Sequence, residues 1–324
     1  MKAITIDEDD RSLSWSTVPT PVPGPGEVRI KLTATSCNRA DLLQRRGLYP
    51  PPEGASSILG LDASGVVDAV GRGVDQWSVG DPVCALLAGG GYAQYTLSPA
   101  SLLLPVPKTV GLAQAAAIPE VFYTAFINLC LEAELQSGDT VLIHAAASGV
   151  GTAAVQLSRA FGSTVFGTAS QPKLAFLKKL GVDAAIDREN EDFSAHIDEL
   201  TDHDGVDIIL DPVGASYFQK NLHLLNDRGR LVVIGVLSGT ESKISLSRLL
   251  RKRLRVIGSV LRSRSIEEKA AITERLRSTV WPLFEEGALQ PVIDRTLSIE
   301  EVELAHELLE SNATIGKIVL TIEH

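Results

Sequence analysis

The sequence predicts an α/β protein in which a β-rich domain is combined with a doubly wound parallel sheet. Short apolar runs separated by Gly- and Pro-rich turns fill the chain up to about residue 120, as in a small irregular barrel or sandwich. Residues 139–173 then have the pattern of strand, glycine-rich turn, helix and strand. Further strands alternate with helices after this unit. Counted from Thr140 the strands number six, as in a complete doubly wound sheet.

Composition indicates a globular protein of about two domains. The chain has 324 residues, 44% of them hydrophobic, and a net charge of −10 that argues against general binding to nucleic acid or anionic membrane. Three distant cysteines (Cys37, Cys84 and Cys130) argue against a disulfide framework and fit a reducing compartment. Residues 1–20 lack a signal peptide, and polar residues interrupt the apolar stretch 112–135. We therefore expect a cytoplasmic protein that has no membrane span.

In the β-rich domain the clearest strand contains Val28, Ile30 and Leu32. These residues alternate with polar ones at the period of a half-buried strand, after a proline-rich turn at 19–26. The other predicted strands are Met1–Ile6, Ser64–Val70, Pro82–Leu86 and Tyr92–Leu97.

The second half of the chain alternates strands with helices. The predicted strands after the first βαβ unit are Ala184–Ile186, Val206–Leu210, Leu231–Val236 and Val256–Val260. The predicted helices include Leu174–Leu180 and Phe193–Leu200. A last helix (Ile299–Ser311) and strand (Gly316–Ile322) are expected to return to the first domain.

The βαβ unit carries the strongest functional signal. Thr140–His144 is predicted as a buried strand and Thr164–Thr168 as a second, and Gly149, Gly151 and Ala154 between them fit the pattern G-x-G-x-x-A. This pattern predicts a dinucleotide site. The glycines let backbone approach a diphosphate, and the small residue lets helix and sheet pack closely.

The diphosphate is expected at the first turn of the helix. The first amides there, around Val150, would face it with the positive end of the helix dipole behind them. The hydroxyl of Ser148 could also reach a phosphate or ribose. A nucleophilic serine is the alternative, but no G-x-S-x-G sequence surrounds Ser148.

The residues after the second strand favour NADPH over NADH. A free ribose 2′-hydroxyl usually meets an Asp or Glu about 20 residues beyond the glycines. Here Thr168, Ser170 and Lys173 stand in that region and no acid does. A hydroxyl and an ammonium suit a 2′-phosphate, and Arg188 beyond the third strand could add a second cation. For both Lys173 and Arg188 an ordinary solvated surface role is the alternative.

Motifs along nearly the whole chain resemble the medium-chain dehydrogenase/reductase superfamily. They are PVPGPGEVRIKL (21–32), NRADLLQRRGLYPPP (38–52), ILGLDASGVV (58–67), VGDPVCALLAGGGYAQY (79–95), QAAAIPEVFYTAF (114–126), LDPVG (210–214) and IGKIVL (315–320), together with the dinucleotide segment. Within it, residues 38–52 and the LLAGGGYAQY run most resemble the zinc-independent quinone oxidoreductases, and most closely the branch of the tumour-suppressor-induced enzyme.

The resemblance implies two domains, a cofactor and an oligomer. They are a GroES-like catalytic domain (1–121 and 292–324) and a Rossmann NADPH-binding domain (122–291), with NADPH as cofactor and a homodimer or homotetramer as the assembly. It places Tyr49 in a loop over nicotinamide and substrate, as lid and donor to the substrate oxygen, and Asn38 near the nicotinamide. Packing of Tyr49 on the adjacent prolines, and a turn cap at Asn38, are the alternatives. The further cofactor contacts it implies are Thr124, Val213, Val236, Leu237, Asn312 and Lys317.

The chain departs from zinc-dependent relatives at both ligand positions. Asn38 stands where they have a ligand cysteine and Leu61 where they have a ligand histidine, and the lobe that holds their structural zinc is replaced by residues 89–92. Cys37 is one place off the ligand position, with no His or Cys partner nearby. The histidines share no metal spacing either. We expect no metal.

The sequence thus predicts an NADPH-dependent, zinc-free quinone oxidoreductase that transfers a hydride from nicotinamide to a small quinone. An enone or enoyl-thioester reductase on the same scaffold is the first alternative. The second is an NADPH-binding regulatory or RNA-binding protein, because residues 248–264 contain seven basic residues. No stacking aromatic lies in that run and the chain is acidic, so nucleic acid is not the expected partner.

Overall fold

The computed structural model describes residues 1–7 and 9–324. The chain forms two compact units. The first contains Met1–Tyr123 and Arg262–His324, and the second contains Thr124–Leu261.

The N-terminal part of the first unit consists of short strands and one short helix. They are β1 (Lys2–Ile6), β2 (Leu13–Thr17), β3 (Glu27–Ser36), α1 (Arg39–Arg45), β4 (Asp62–Val70), β5 (Pro82–Leu86), β6 (Tyr95–Pro99) and β7 (Leu103–Pro105). In β3, Val28, Ile30 and Leu32 are fully buried while Arg29 and Lys31 are half-buried, which confirms the predicted alternation.

The second unit holds the parallel sheet. Helix α2 (Pro119–Phe126) spans its start and continues as a π-helical turn (Ile127–Glu132). Next come β8 (Thr140–Ile143), α3 (Gly149–Ala160), β9 (Thr164–Ala169), α4 (Leu174–Leu180), β10 (Ala184–Asp187), α5 (Phe193–Leu200), β11 (Val206–Asp211), α6 (Ala215–Leu224), β12 (Leu225–Val233), α7 (Leu246–Arg251) and β13 (Arg255–Gly258). The sheet order is β10-β9-β8-β11-β12-β13 and every pair is parallel. This order confirms the doubly wound prediction.

Two strands differ from their predicted bounds by three residues or more. Strand β6 is Tyr95–Pro99, whereas the sequence predicts Tyr92–Leu97. Strand β12 is Leu225–Val233, whereas the sequence predicts Leu231–Val236. Its partner β11 pairs Val206 with Leu225 and then Ile208 with Arg230, so the turn-forming residues 226–229 bulge out within the strand. The strand therefore begins before residues 226–229, which resemble a turn in the sequence, and it ends three residues before the predicted end at Val236.

The C-terminal part returns to the first unit. It contains α8 (Ile266–Thr279), α9 (Trp281–Glu285), β14 (Ile293–Ser298), α10 (Val302–Glu310) and β15 (Lys317–Thr321). Strand β15 pairs with β3, giving a sheet of order β14-β15-β3-β4-β5-β7, and β6 also pairs with β3.

Helices α8 and α9 lie in the first unit, although the sequence predicts a second domain that extends to residue 291. Tyr123 Oη donates to Thr273 Oγ1 at 2.7 Å, and Trp281 Nε1 donates to the Pro105 carbonyl at 2.8 Å. Thr109 Oγ1 also donates to the Phe284 carbonyl at 2.6 Å. These bonds attach both helices to the β-rich unit.

One helical stretch, Gln114–Glu132, is long and apolar enough to cross a membrane by length and composition alone. Its most apolar window is 72% buried within the protein. A core helix has the same character, so this stretch is weak evidence for a membrane span.

Candidate active site

Helix α3 begins at the carboxyl edge of the parallel sheet. Ser148 is its N-cap, and the Ser148 hydroxyl accepts a hydrogen bond from the Gly151 amide at 3.0 Å. Within the described part of the chain, the amides of Gly149 and Val150 have no hydrogen-bond acceptor, and both residues are half-exposed. Two unpaired donors at the positive end of a 12-residue helix suit an anion such as a phosphate.

The turn before α3 is tight, so that neighbouring backbone leaves no space for a side chain at Gly151. A Cβ on Gly151 would lie 2.4 Å from the Ala145 carbonyl oxygen. Glycine at this position is therefore required by the protein's own backbone, and the predicted approach of a diphosphate is a separate reason for it. Ala145 itself has a left-handed φ of 50°, a conformation that costs on the order of 1–2 kcal/mol and that clusters at ligand-binding sites.

The residues predicted to bind a ribose phosphate lie at adjacent strand ends. Strands β9 and β10 pair in parallel, and the Arg188 amide donates to the Ala169 carbonyl at 2.9 Å. Ser170 opens the turn after β9, and its carbonyl accepts from the Lys173 amide at 2.9 Å. The Arg188 guanidinium is exposed and lies 3.3 Å from Glu189. The structure thus brings Ser170, Lys173 and Arg188 to one corner of the sheet.

A buried chain of hydrogen bonds runs beneath this edge. The Thr168 hydroxyl lies 3.0 Å from His144 Nδ1, His144 Nε2 lies 2.8 Å from Asn221 Oδ1, and Asn221 Nδ2 donates to Asp211 Oδ2 at 2.9 Å. Because the Asn221 amide nitrogen faces a carboxylate, its oxygen must accept, so His144 donates from Nε2 and accepts from Thr168.

This series of hydrogen bonds needs a neutral imidazole. Burial lowers the pKa of His144 to about 4, so the ring is neutral at physiological pH and can donate and accept at once. The Thr168 hydroxyl, predicted to contact the cofactor, is instead turned into the interior because His144 offers a buried acceptor there.

Asp211 also holds the loop that follows β11. Its Oδ1 accepts from the Val213 amide at 2.6 Å, and the Val213 carbonyl accepts from both the amide and the hydroxyl of Ser238 at 2.8 Å. The loops after β11 and β12 are thereby tied together. Val236 and Leu237, on the second loop, are 49% and 62% exposed. Three predicted residues therefore meet at the sheet edge, two of them with apolar side chains open to solvent.

The first unit contains a buried ion pair. Lys317 Nζ lies 3.4 Å from Asp62 Oδ2, donates to the Cys37 carbonyl at 2.7 Å and also donates to Asn38 Oδ1. Asn38 Nδ2 donates to Asp62 Oδ2 at 2.8 Å. The side chains of Lys317 and Asp62 are 4% and 0% exposed. The expected contacts of Lys317 with the cofactor and of Asn38 with the nicotinamide do not match this arrangement, because both side chains are engaged in the interior.

The Asp62 carboxylate is fully partnered. Besides Lys317 and Asn38, it accepts from the Ser36 hydroxyl at 2.5 Å and from the Glu120 amide at 2.8 Å. A buried carboxylate is stable only with such a set of donors and a counter-charge.

This cluster occupies the place where, by the resemblance, zinc-dependent relatives bind metal. Asn38 stands at one ligand position, and the other, Leu61, is a buried apolar residue directly before Asp62. The Lys317 ammonium would repel a divalent cation there. Burial raises the pKa of the Cys37 thiol to about 12, so it is not a thiolate. Residues 1–7 and 9–324 contain no group of three or more His, Cys, Asp or Glu that could hold a metal.

A second buried carboxylate, Asp41, joins three segments of the first unit. It accepts from the Asn38 amide at 2.8 Å, the Gly60 amide at 3.0 Å and the Tyr92 hydroxyl at 3.1 Å. Burial raises its pKa to about 6. Asp41 thus fixes helix α1 against the loop before β4 and against the glycine-rich loop, residues 87–94, that contains Tyr92.

Tyr49 lies half-buried in the proline-flanked loop after α1. The Arg262 guanidinium is 5.2 Å from the centre of its ring, and Arg262 Nη1 donates to the Tyr49 carbonyl at 3.3 Å. Its hydroxyl has no hydrogen-bond partner among the residues that the structure describes. Burial raises the pKa of the phenol, so Tyr49 is a protonated donor at neutral pH.

Two further predicted contacts remain predictions. The Thr124 carbonyl accepts from Asn128 Nδ2 at 2.7 Å, and Asn312 Oδ1 accepts from Arg39 Nη2 at 2.6 Å. Each of these bonds lies within one unit and gives no geometric argument for a cofactor contact.

Four residues near the candidate site, Asp62, His144, Asn221 and Arg262, have no sequence motif that marks them. The missed signal at Asp62 and Lys317 is an acid in one apolar strand (ILGLDASGVV) and a lysine in another (IGKIVL), since buried charges need partners. Arg262 belongs to the basic run 248–264, and its side chain is buried against three segments of the first unit.

Two domain families match the chain. Residues 24–108 match "Alcohol dehydrogenase GroES-like domain" and residues 149–276 match "Zinc-binding dehydrogenase". Among curated proteins, a Quinone oxidoreductase-like protein 2 homolog of Nematostella vectensis is 31% identical over 297 residues, covering 90% of this chain and 81% of the relative. A Synaptic vesicle membrane protein VAT-1 homolog of Danio rerio is 30% identical over 309 residues, and the chain spans 64% of that relative's length and is itself 91% covered.

Solved structures agree over the whole chain. An NAD-dependent alcohol dehydrogenase has a TM-score of 0.88 with 32% identity and covers 100% of both chains. The apo form of JamJ enoyl reductase has a TM-score of 0.88 with 30% identity and covers 99% of both. Mycobacterial Rv1454c, solved with NADPH, has a TM-score of 0.88 with 30% identity and covers 99% of this chain and 100% of its own.

A GroES-like unit and a six-stranded doubly wound unit in one chain define an α/β oxidoreductase fold. The chain belongs to the medium-chain dehydrogenase/reductase superfamily.

Lys317→Met tests the buried ion pair. The change leaves the Asp62 carboxylate without its counter-charge, so we expect the free energy of unfolding in urea to fall by about 3–5 kcal/mol. The double variant Lys317→Met/Asp62→Asn should recover part of that loss. Lys179→Met, on the exposed face of α4, is the control and should change stability by less than about 0.5 kcal/mol. A cost below about 1 kcal/mol for Lys317→Met would contradict the ion pair.

Proposed function

We propose that this protein is an NADPH-dependent, zinc-free oxidoreductase that reduces small quinones. The observation that carries the proposal is the pair of unpaired amides, Gly149 and Val150, at the start of α3, with Ser170, Lys173 and Arg188 at the next corner of the same sheet edge. The similar structure solved with NADPH and the quinone oxidoreductase-like relative support it. Membership of the tumour-suppressor-induced branch is part of the proposal.

The protein's own groups would hold the cofactor by its phosphates and one apolar surface. The Gly149 and Val150 amides would donate to the diphosphate, and Lys173 and Arg188 would pair with a 2′-phosphate. Val236 and Leu237 offer exposed apolar surface suited to a nicotinamide ring. When bound, reduced nicotinamide supplies a hydride, and the quinone takes it up with a proton from water to become a hydroquinone.

Zinc would have no part in this reaction. An alcohol dehydrogenase needs a Lewis acid because an alkoxide must be stabilised. A quinone distributes the incoming charge over its own carbonyls, so one hydrogen-bond donor to its oxygen suffices. The Tyr49 hydroxyl, protonated and unpartnered, is the donor that we propose.

Reduction of enones or enoyl thioesters is the second candidate. It uses the same hydride, and similar solved structures include JamJ enoyl reductase. Nucleic-acid binding has no comparable support. In the basic run Arg253 pairs with Asp227, Arg255 lies 3.1 Å from Glu134 and Arg262 is buried, so three of the seven basic charges are already engaged.

NADPH oxidation with several acceptors tests the reaction. With 1,2-naphthoquinone or 1,4-benzoquinone we expect kcat/KM at least about tenfold above that with crotonyl-CoA or simple enones, and no change after dialysis against a chelator. Activity only with crotonyl-CoA or enones would replace the quinone assignment. NADPH oxidation with none of the acceptors, or complete loss of activity on chelation, would contradict it.

Cofactor titrations test the 2′-phosphate corner. By nicotinamide fluorescence we expect tighter binding of NADPH than of NADH by the wild-type protein. Lys173→Gln should weaken NADPH binding about tenfold, and NADH binding much less, because only NADPH presents the extra phosphate. Lys178→Gln, an exposed lysine on α4, is the matched control. Equal affinities of the wild-type protein for the two cofactors would contradict the preference.

We propose that the protein is at least a homodimer that pairs through β13. This strand ends the sheet order, so its outer edge has unpaired backbone groups. Val256 on it is 39% exposed, and Leu250 on the preceding helix is 79% exposed. Such an exposed apolar edge is typical of a surface that a second copy covers.

Sedimentation velocity tests this assembly. The wild-type protein should sediment at twice the 34.6 kDa chain mass or more, and Val256→Lys should shift it toward the chain mass. Val79→Lys, at a 66% exposed position of the first unit, should have no effect. A wild-type protein that sediments as a single chain at micromolar concentration would contradict the dimer.

A further inference from the structure

Arg262 is a buried cation without a carboxylate partner. Arg262 is only 6% exposed. In the part of the chain that the structure describes, no carboxylate lies within 4 Å of the Arg262 side-chain nitrogens. Burial lowers the pKa of Arg262, but a guanidinium stays charged at neutral pH. A buried unpaired charge is costly, so its remaining contacts call for an explanation.

Those contacts are all oxygen acceptors from three separate segments. Arg262 Nε and Nη2 donate to the Ala88 carbonyl at 2.9 and 2.7 Å, and Nη2 also donates to Gln44 Oε1 at 2.6 Å. Nη1 donates to the Tyr49 carbonyl at 3.3 Å. The fork of the guanidinium therefore joins helix α1, the glycine-rich loop and the Tyr49 loop, which we define as residues 47–53.

The backbone of Arg262 is itself held in place. The ammonium of Lys269, on α8, donates to the Arg262 carbonyl at 2.6 Å, and Lys269 is 8% exposed. A residue fixed at both its backbone and its fork can act as a rigid support. A lysine would replace it only in part, because it keeps the charge but a single ammonium cannot span three acceptors in fixed directions.

The support acts on Tyr49 in two ways. The guanidinium lies over the face of the Tyr49 ring, 5.2 Å from its centre, which fixes the ring by a cation–π contact. Its charge also lowers the pKa of the phenol, opposing the larger increase that burial causes. A more acidic phenol is a stronger hydrogen-bond donor to an oxyanion.

We propose that Arg262 is a positioning residue, which holds Tyr49 and strengthens its hydroxyl as donor to the quinone oxygen that gains negative charge. This inference rests on the proposed quinone reduction. Arg262 acts through Tyr49 and does not itself touch the acceptor.

A double-mutant cycle tests this coupling, with Arg262→Gln, Tyr49→Phe and the double variant. We expect Arg262→Gln to lower kcat/KM for 1,4-benzoquinone about tenfold and to leave the Kd of NADPH within about twofold. In the wild-type protein Tyr49→Phe should lower kcat/KM clearly. In the Arg262→Gln background the same change should lower kcat/KM by less than about twofold further. Arg262→Lys keeps the charge and should recover part of the loss. Arg275→Gln, on the exposed face of α8, is the matched control.

Two kinetic results would overturn the inference. Independent, multiplicative effects of Arg262→Gln and Tyr49→Phe would mean that Arg262 does not act through Tyr49. Wild-type kinetics in Arg262→Gln would mean that it has no role in the reaction. Independence of the two effects, and not the behaviour of Arg262→Lys, distinguishes a general structural role from action through Tyr49.

Amide hydrogen exchange keeps the test independent of turnover. In Arg262→Gln we expect faster exchange than in the wild-type protein across a peptide covering residues 42–57, and unchanged exchange in strands β8 and β9. If the wild-type protein binds NADPH but reduces no quinone, the proposed function fails, and the exchange result still decides whether Arg262 holds the Tyr49 loop. Unchanged exchange in residues 42–57 would overturn the inference whatever the activity.

Discussion

The candidate site depends on one constraint, that polar groups buried beneath a loop must be paired. In the second unit Asp211, Asn221, His144 and Thr168 form a continuous buried chain under the carboxyl edge of the sheet. This series of hydrogen bonds ends at the Asp211 carboxylate, which accepts from the Val213 amide and so holds the loop after β11. Because the low pKa of the buried histidine keeps it neutral, these hydrogen bonds are kept throughout the physiological pH range. The amides at the start of α3 lie at the same edge of the sheet and face solvent.

In the first unit the same constraint works through charge. Lys317 and Asp62 neutralise each other at the place where related enzymes hold a metal, and Asn38 completes the cluster. Nearby, Arg262 has no carboxylate partner and is stabilised by carbonyl oxygens from several segments. In the reaction that we propose, the first unit then offers a phenol, Tyr49, as hydrogen-bond donor. This chemistry suits an acceptor that stabilises its own negative charge, such as a quinone.

Much of the fold follows from local pattern. The alternation around Val28 and the six apolar runs from Thr140 predict the presence and order of these strands correctly, since short-range periodicity reports which face is buried. The limits of β12 could not be read from the sequence, because residues 226–229 bulge within a strand and resemble a turn. The partners of Lys317 were also inaccessible, since Asn38 lies 279 positions away and no local rule links them. The strand pattern revealed a lysine in an apolar run, but only the fold shows what neutralises it.

We propose that the bare amides of Gly149 and Val150 bind the diphosphate of a nicotinamide cofactor. Their ¹H–¹⁵N chemical shifts in the protein saturated with NADPH test this most directly. We predict large downfield proton shifts for both amides, since each gains a charge-assisted hydrogen bond, with little change for the already capped amide of Gly151. Saturation with NADPH that leaves the Gly149 and Val150 resonances in place would contradict the account.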